Sequence, residues 1–362
     1  MKERKNGLSI DLIIHPGETL IELLETRNMK QKELAFRTGF SEKHISEIVN
    51  GKAVITSKFA ASLENVFGVS AKFWLNLQAN YDIELINYTE TSTVTNNEIN
   101  ILSELKEIIK HLKNIGILEK NQCKEDDVIK LRKFLAVSSL TVIPSLQFNA
   151  AFRTSTSTRV NPYVLFAWIR LCEVSTHDIV VSNTLDIGKL CNSITQIKHV
   201  MNSQPENIEN ELRSIFSECG VKFHIIKHFE GAPVQGFIEK AEPGHMMLCM
   251  TIRQAWADVF WFTLFHEIGH ILNDDVRTRF VDYDFTETEN EALADKFAQD
   301  ALINPGVYSE FVESGDFSLD AIRELSKKEN VKPYIIIGRL QKEKHITYQT
   351  HSSEKTRYKW AE

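Results

Sequence analysis

The sequence predicts a mainly α-helical protein with a small α+β part, and three observations support this. Apolar residues recur every three or four positions through most of the 362 residues, which is the period of an amphipathic helix. Three short apolar runs after Gly220, separated by glycine or proline, indicate a small antiparallel sheet. A chain of this length, with 43% apolar and 25% charged residues, is long enough for two or three globular domains.

Residues 10–83 are predicted to form a first domain of five short helices. The helical segments cover residues 16–27, 30–38, 42–49, 56–67 and 70–81. Gly39 is predicted to end the second helix, because glycine readily adopts the left-handed conformation that closes a helix. Ser41 is predicted to cap the third helix, because its hydroxyl can accept an N–H group of the first turn. Two helices joined by a glycine turn have the spacing of a helix-turn-helix motif.

A polar, Thr-rich segment over residues 88–97 has no apolar periodicity and predicts a linker at the end of the first domain. Helical spacing returns from Glu98, so residues 98–210 are predicted to form a helical middle domain. Its helical segments include residues 128–137 and 163–174.

Residues 211–346 are predicted to form a third domain, followed by a flexible polar tail over residues 347–362. The runs that predict strands cover residues 221–226, 234–238 and 245–251. An apolar helix follows over residues 259–272. The small sheet and this helix together make up the α+β part of the fold.

Charge and cysteine content exclude several classes of protein. The net charge of −7 argues against non-specific coating of nucleic acid, but residues 1–82 carry 11 Lys and Arg against 10 Asp and Glu, so the acidity belongs to the later domains. Five cysteines, far apart and without CxxC spacing, predict buried free thiols rather than disulfides or a thiolate metal site. Without a signal sequence or a membrane-spanning apolar stretch, the chain is expected to be cytoplasmic and to have no membrane partner.

The predicted apolar helix carries the pattern HExxH at residues 266–270. His266 and His270 lie one turn apart on the same face, so their imidazoles can bind one zinc ion (Zn2+). Glu267 can take a proton from a water that attacks a peptide carbonyl and pass it to the leaving amine. Gly269 costs a helix about 1 kcal/mol relative to alanine, which predicts close approach of another backbone. The alternative is a structural helix with hydrogen-bonded histidines, although burying these groups without a purpose is costly.

A catalytic zinc also needs a third protein ligand and an open fourth position. Glu291 and Asp295 stand four residues apart on a predicted helix downstream. Glu291 could bind the metal, while Asp295 could accept the free ring N–H of a ligand histidine. Spacing alone leaves open that Glu291 is a surface residue, because Glu287 and Glu289 alternate with it along a charged stretch.

Two segments, FWFTLFHEIGHIL and ENEALADKFAQDALINP, resemble the ImmA/IrrE family of zinc metallopeptidases. The resemblance extends over roughly residues 220–346. The family's second motif, ExxA(N/D)xFA, falls on Glu291 and Asp295, which implies that Glu291 is the third zinc ligand. The resemblance further implies a zincin-like endopeptidase domain that hydrolyses a protein target, often a repressor in a stress or mobile-element circuit.

The third predicted helix of the first domain is in the position of a recognition helix, whose first residues reach base edges in the major groove. The candidate base contacts are Ser41, Lys43, His44 and Glu47, and the candidate phosphate contacts are Gln31, Lys30 and Lys52. Lys43 and His44 can donate to bases. Glu42 and Glu47 can accept from cytosine amino groups. The alternative is that these five helices form a protein-interaction module, because a recognition helix with one lysine has little positive charge.

Three further segments, IIHPGETL, KQKELAFRTGFSEKHISEIVNGK and FWLNLQANYD, resemble the HigA addiction-module antidotes among the Xre-type regulators. This resemblance implies a homodimer that binds double-stranded DNA at an inverted-repeat operator, with a toxin as a further partner. The chain continues for about 280 residues beyond this domain, so a simple toxin-neutralising antidote describes it incompletely.

The sequence favours a transcriptional regulator with an active zinc peptidase domain, since every group needed for hydrolysis is present. A second hypothesis is a HigA-like antitoxin or repressor whose zincin-like domain is a sensor or docking module without turnover. A requirement for Glu267 beyond folding would distinguish the two. A third is a free-standing protease whose N-terminal helices dock the substrate, which the lack of a specific operator would favour.

Overall fold

The computed structural model describes residues 13–120, 123–146, 151–154, 160–181, 184–241, 244–274 and 289–360, with the backbone alone at residue 87 and residues 151–154. The chain divides into two compact units, Met1–Ile99 with Cys123–Ile129 and Asn100–Gln122 with Lys130–Glu362. Most of the region predicted as a separate middle domain, residues 98–210, therefore belongs to the same unit as the predicted domain 211–346.

Five helices form most of the first unit, as the sequence predicted. They are α1 (Pro16–Thr26), α2 (Gln31–Thr38), α3 (Glu42–Val49), α4 (Ser57–Phe67) and α5 (Ala71–Thr89). Gly39 ends α2 with a φ of 73°, in the left-handed region that favours glycine. The Ser41 hydroxyl accepts the His44 N–H at 3.1 Å and so caps α3. The predicted glycine turn and serine cap are both present.

The core of the first unit draws on all five helices. Its fully buried side chains include Leu20, Leu34, Ile45, Phe59 and Trp74. Gly17 allows α1 to approach α3 closely, because a Cβ atom at this position would lie 2.1 Å from the carbonyl oxygen of Ile48. The buried Gln78 side chain of α5 accepts the Ile55 N–H at 2.9 Å, which satisfies the backbone before α4.

The predicted linker over residues 88–97 is largely helical, which corrects the sequence prediction. Helix α5 extends to Thr89, a 3₁₀ turn covers Glu90–Thr93, and α6 (Asn96–Glu104) follows. The hydroxyl groups of this segment donate to backbone carbonyls of their own turns, as Thr89 does to Leu85 at 2.8 Å. Such local hydrogen bonds stabilise helical turns without an apolar periodicity that a sequence pattern could reveal.

Further helices lie along residues 106–218. They are α7 (Lys106–Asn114), α8 (Lys124–Leu135), α9 (Pro162–His177), α10 (Ile187–Ser203) and α11 (Ile208–Glu218), with a 3₁₀ segment at Leu140–Ser145. Leu190 and Ile197 of α10 and Phe216 of α11 are fully buried in the same core as the later helices. This shared core explains why the second unit extends well upstream of residue 211.

A four-stranded mixed sheet lies in the second unit, in the order β1-β3-β4-β2. Its strands are β1 (Ala151–Thr154), β2 (Val221–Ile225), β3 (Val234–Lys240) and β4 (Met246–Met250). The three predicted strands are confirmed, but the prediction of a purely antiparallel sheet is wrong because β2 runs parallel to β4. The sequence also did not predict β1, which is short and pairs antiparallel with β3.

Five helices follow the sheet within the described part of the chain. They are α12 (Ala257–Leu272), α13 (Glu289–Leu302), α14 (Pro305–Ser314), α15 (Leu319–Lys328) and α16 (Pro333–Lys342). Helix α12 is central, with 13 of its 16 residues buried against the sheet and the surrounding helices. Its buried position accounts for the continuous apolar pattern in the sequence.

The tail predicted to be flexible is packed over its described residues, which is a further correction. Tyr358 accepts the indole N–H of Trp261 at 2.7 Å, and its own backbone N–H donates to Ala255 at 2.7 Å. Lys355 forms a buried ion pair with Asp258, with Nζ and Oδ2 2.7 Å apart. The polar side chains of the tail thus pair with buried polar groups of α12. The polar composition of the tail does not reveal this packing.

The cysteines are all free thiols, as predicted, but only Cys172, Cys219 and Cys249 are buried. Cys123 and Cys191 are exposed, so the prediction of five buried thiols is wrong for these two. Among the described residues, none of the helices combines the length and apolar character needed to cross a bilayer.

Candidate metal centre and nucleic-acid interface

Three ionisable side chains in the last two turns of α12 are almost fully buried. His266 and Glu267 are each 1% exposed, and His270 is 5% exposed. Burying such groups is costly unless they are hydrogen-bonded or bind a metal ion. The surroundings of these side chains therefore determine what the helix can do.

The two imidazoles meet the carboxylate of Glu291, which α13 brings to the same place. His266 Nε2 lies 3.0 Å from His270 Nε2 and 3.2 Å from Glu291 Oε2. His270 Nε2 lies 3.4 Å from Glu291 Oε1. A tetrahedral zinc with bonds of about 2.0–2.2 Å separates neighbouring ligand atoms by about 3.3–3.6 Å. The three side chains predicted as ligands therefore fit a zinc ion with small adjustments.

The electrostatics of Glu291 suit a metal ligand. Hydrogen bonds to His266 and His270 hold the pKa of the Glu291 carboxyl well below its usual value, against the opposing effect of burial. The carboxylate is therefore ionised at neutral pH, which is the form that binds a metal ion.

Asp295 lies one helical turn beyond Glu291 and contacts the outer nitrogen of His266. The distance between Asp295 Oδ1 and His266 Nδ1 is 2.7 Å. The Nδ1–H group donates to this carboxylate. Nε2 is then unprotonated, and its lone pair is directed toward His270 and Glu291. Asp295 thus makes the contact with a histidine that was predicted for it from the sequence.

Two glycines allow the elements around this centre to approach each other. A Cβ atom on Gly269 would lie 3.1 Å from the Cα atom of Ala294, so α12 and α13 are in backbone contact, as the sequence predicted. A Cβ atom on Gly236 of β3 would lie 2.4 Å from Glu267 Oε1. Gly236 was not predicted as a site residue, although a glycine inside a strand pattern can indicate close approach of another group.

A cleft of about 560 Å³ lies beside Asp295, and its lining includes neither histidine of HExxH nor Glu291. Helix α12 contributes Phe262 and Thr263 to its walls, α13 contributes Gln299, and α16 contributes Arg339. This volume lies within the range of ordinary ligand sites and is large enough for several side chains of a peptide. Of the groups that make up the candidate centre, this cleft reaches Asp295.

The second candidate site lies on α2 and α3 of the first unit. The Lys43 side chain is 85% exposed, and its Nζ lies 3.8 Å from the Glu47 carboxylate one turn further along α3. Lys30 and Lys52 are exposed at the start of α2 and after the end of α3, and Gln31 is half-buried at the first position of α2. The three lysines therefore have side chains accessible from solvent around α2 and α3.

Two of the predicted base contacts also have structural roles. The His44 ring stacks on Phe40 with a centroid separation of 5.2 Å and meets the edge of Phe59 at 5.6 Å. His44 Nε2 is buried and has no hydrogen-bond partner among the described residues, so it cannot donate to a base in this conformation. The exposed Ser41 hydroxyl caps α3 as an acceptor, which leaves its O–H able to donate to another group. Ser41, Lys43 and Glu47 therefore remain as accessible candidates from the predicted base contacts.

Comparison with known proteins identifies the family of the first unit. A helix-turn-helix family model matches residues 20–74. Virulence-associated protein I of Dichelobacter nodosus is 36% identical over 80 residues, which are 22% of this chain and 74% of that protein. The chain therefore belongs to the helix-turn-helix family through this region.

Two further proteins are similar to part of the chain. An uncharacterised HTH-type transcriptional regulator of Escherichia coli, YbaQ, is 36% identical over 69 residues, which are 19% of this chain and 61% of that protein. Among solved structures, a HigA-family addiction module antidote protein from Coxiella burnetii is 29% identical. The match covers 30% of this chain and 97% of that one, with a TM-score of 0.20.

Proposed function

We propose that the first unit binds double-stranded operator DNA and that the protein is a transcriptional regulator. The helix-turn-helix match over residues 20–74 supports this proposal, as does similarity to a relative named as a transcriptional regulator. The observation that carries it is the exposed Lys43 side chain near the start of a serine-capped α3. A homodimer on an inverted repeat, with a toxin as a further partner, is the finer form of the proposal.

We further propose that the second unit is a zinc-dependent endopeptidase. His266, His270 and Glu291 would hold the ion, and their mutual distances of 3.0–3.4 Å are the observation that carries this proposal. When bound, zinc supplies Lewis acidity that lowers the pKa of a water to near neutrality. The substrate would be a segment of a protein.

The protein's own groups have separate roles in this chemistry. Asp295 holds His266 in one tautomer and orientation through its 2.7 Å contact with Nδ1. Glu267 lies beside His266 on α12, with its carboxyl group against Gly236. From this position Glu267 would accept a proton from the attacking water and return it to the leaving nitrogen.

Metal analysis tests the proposed ligands. The purified full chain should contain about one zinc per molecule, and His266→Ala should lose most of it. His199→Ala is the matched control, because His199 is exposed on α10 and lies outside the cluster. Equal zinc content in His266→Ala and the unchanged protein would refute the assignment.

Glu267→Gln tests the catalytic role, because it preserves shape and removes the base. We expect normal zinc content and a fall of about 100-fold or more in the cleavage of fluorescein-labelled casein. If zinc is bound but the two proteins show the same residual cleavage, the second unit is a sensor or docking module without Glu267-dependent turnover.

A further inference from the structure

Strand β1 lies at the edge of the sheet, beside the strand that reaches the candidate metal centre. It pairs antiparallel with β3, in the register Ala151 with Ile238, Phe152 with Phe237 and Thr154 with Val234. The order β1-β3-β4-β2 leaves β1 with β3 as its neighbour in the sheet. The far side of β3 is paired with β4.

Strand β3 is in direct contact with the catalytic face of α12. Gly236 lies against the Glu267 carboxyl group, where a Cβ atom would come within 2.4 Å of Oε1. The next residue toward the start of the strand, Gln235, has its side-chain oxygen 3.3 Å from the Thr263 hydroxyl of α12. Two adjacent residues of β3 therefore fix this strand over the helix that carries HExxH.

The irregular point of the β1–β3 pairing falls opposite these same two residues. The register shifts between Phe152 and Thr154, so Arg153 alone faces the stretch formed by Gln235 and Gly236. Neighbouring strands of a sheet are about 4.8 Å apart. The backbone around Arg153 therefore runs one strand spacing from the glycine that touches Glu267.

We infer that β1 occupies the place of an extended substrate strand and keeps the peptidase at a low basal activity. This inference rests on the proposed endopeptidase function. Without β1, β3 would present an open edge beside Glu267, and open sheet edges bind extended peptides by strand addition. The substrate class that fits is therefore an unfolded or extended segment of a protein, paired antiparallel with β3.

The pairing is suited to exchange because it is short. Four residues with one register shift provide few ladder hydrogen bonds, so displacing them costs little compared with unfolding the unit. Because β1 is part of the same chain, it competes for the edge of β3 at an effective concentration of roughly millimolar. This suppresses binding of a free peptide present at micromolar concentration. A signal or partner that removes β1 would release the edge.

A binding experiment tests this occupancy without requiring turnover. The probe is a fluorescent peptide with the sequence of residues 149–156, and the host is the zinc-loaded full chain with Glu267→Gln. Adding Phe152→Pro and Arg153→Pro removes ladder N–H groups from β1, since proline has none. We expect the probe to bind at least tenfold more tightly after these two changes. Equal affinity would overturn the inference.

An activity experiment then separates this inference from the proposed function. Phe152→Pro with Arg153→Pro in the otherwise unchanged chain should cleave labelled casein at least tenfold faster, and Glu267→Gln should abolish the gain. Val180→Pro is the control for proline in an exposed loop, and it should leave the rate unchanged. Tighter probe binding without any cleavage would support strand occupancy and refute the endopeptidase function. Unchanged probe binding together with Glu267-dependent cleavage would support the endopeptidase function and refute strand occupancy.

Discussion

Gly269 and Ala294 are in close backbone contact: a Cβ atom on Gly269 would lie 3.1 Å from the Cα atom of Ala294. Gly269 stands between His266 and His270, next to His270, while Ala294 stands between Glu291 and Asp295. The backbone contact between α12 and α13 therefore fixes the distance between the proposed ligands on the two helices. The proposed metal centre depends on a packing contact as well as on its donor atoms.

Gly269→Val should push α13 away from α12. We expect zinc affinity to fall at least tenfold, and the free energy of unfolding to fall by about 1–3 kcal/mol, as for other overpacked sites. Competition with a chelator and urea unfolding measure the two effects. Gly188→Val is the control, because the nearest atom to a Cβ there is Asp186 Oδ1 at 3.4 Å. Zinc affinity that is unchanged in Gly269→Val would show that the helix spacing is not critical.

Asp295→Asn should weaken zinc binding while leaving the three ligands in place. The amide cannot accept the His266 Nδ1–H as strongly as the carboxylate does, and loss of such a partner typically costs 10- to 100-fold in metal affinity. Asp300→Asn removes the same charge from the same helix and should have no comparable effect. Equal affinities for the two variants would mean that Asp295 acts only through its charge.

The first unit should lose stability as the pH falls below about 6.5. His15 caps α1 by accepting the Gly17 N–H on Nδ1 at 2.9 Å, which only the neutral imidazole can do. Burial lowers the pKa of His15, against the raising effects of Asp82 and Glu18. Because the folded pKa is below the unfolded one, the unfolded state binds more protons in this window and stability rises with pH.

His15→Asn isolates this effect, because asparagine is a good helix cap that does not titrate. Hydrogen exchange of the α1 and α3 amides, measured between pH 5 and pH 7.5 and corrected for intrinsic exchange rates, reports the stability of the unit. We expect the protection of the unchanged chain to fall with decreasing pH more steeply than that of His15→Asn. Parallel pH profiles would exclude a role for His15.

Local sequence signals predicted the helix-turn-helix and the helix that carries HExxH because these depend on short-range features. A glycine turn and a serine cap define α2 and α3, and unbroken apolar character defines α12. The packing role of Gly269 was also predictable, since a glycine in a helix interior is costly without a neighbour. These features are determined within about two helical turns of the residue concerned.

Contacts between distant segments were not predictable in the same way. The Lys355–Asp258 pair joins residues almost 100 positions apart, so a polar tail looked flexible although it is packed. The His44 ring looked like a base contact, but tertiary packing places it against Phe40 and Phe59. The predicted domain boundary at residue 211 is a third example. A fragment beginning at Glu211 would lack Leu190 and Ile197 of α10, which are buried in the core of the second unit.

The contacts with DNA should divide into those that read bases and those that bind phosphates. Lys43 is the most exposed of the candidate base contacts on α3, so Lys43→Ala should weaken binding to the selected operator by about 1–3 kcal/mol, or roughly 5- to 150-fold. It should have a much smaller effect on random-sequence duplex DNA. Lys30→Ala and Lys52→Ala should weaken both complexes and lower the salt slope by about one unit each.

The experiment uses the full chain and an operator selected from a random duplex library. Affinities for this operator and for unselected duplex are measured at several salt concentrations, because affinity at one salt concentration cannot separate the two kinds of contact. Lys328→Ala is the control for loss of one exposed lysine, since Lys328 lies at the end of α15 in the second unit. Lys43→Ala should change the ratio of the two affinities, whereas Lys30→Ala and Lys52→Ala should preserve it. An equal loss on both DNAs for Lys43→Ala would show that α3 does not read the operator through this side chain.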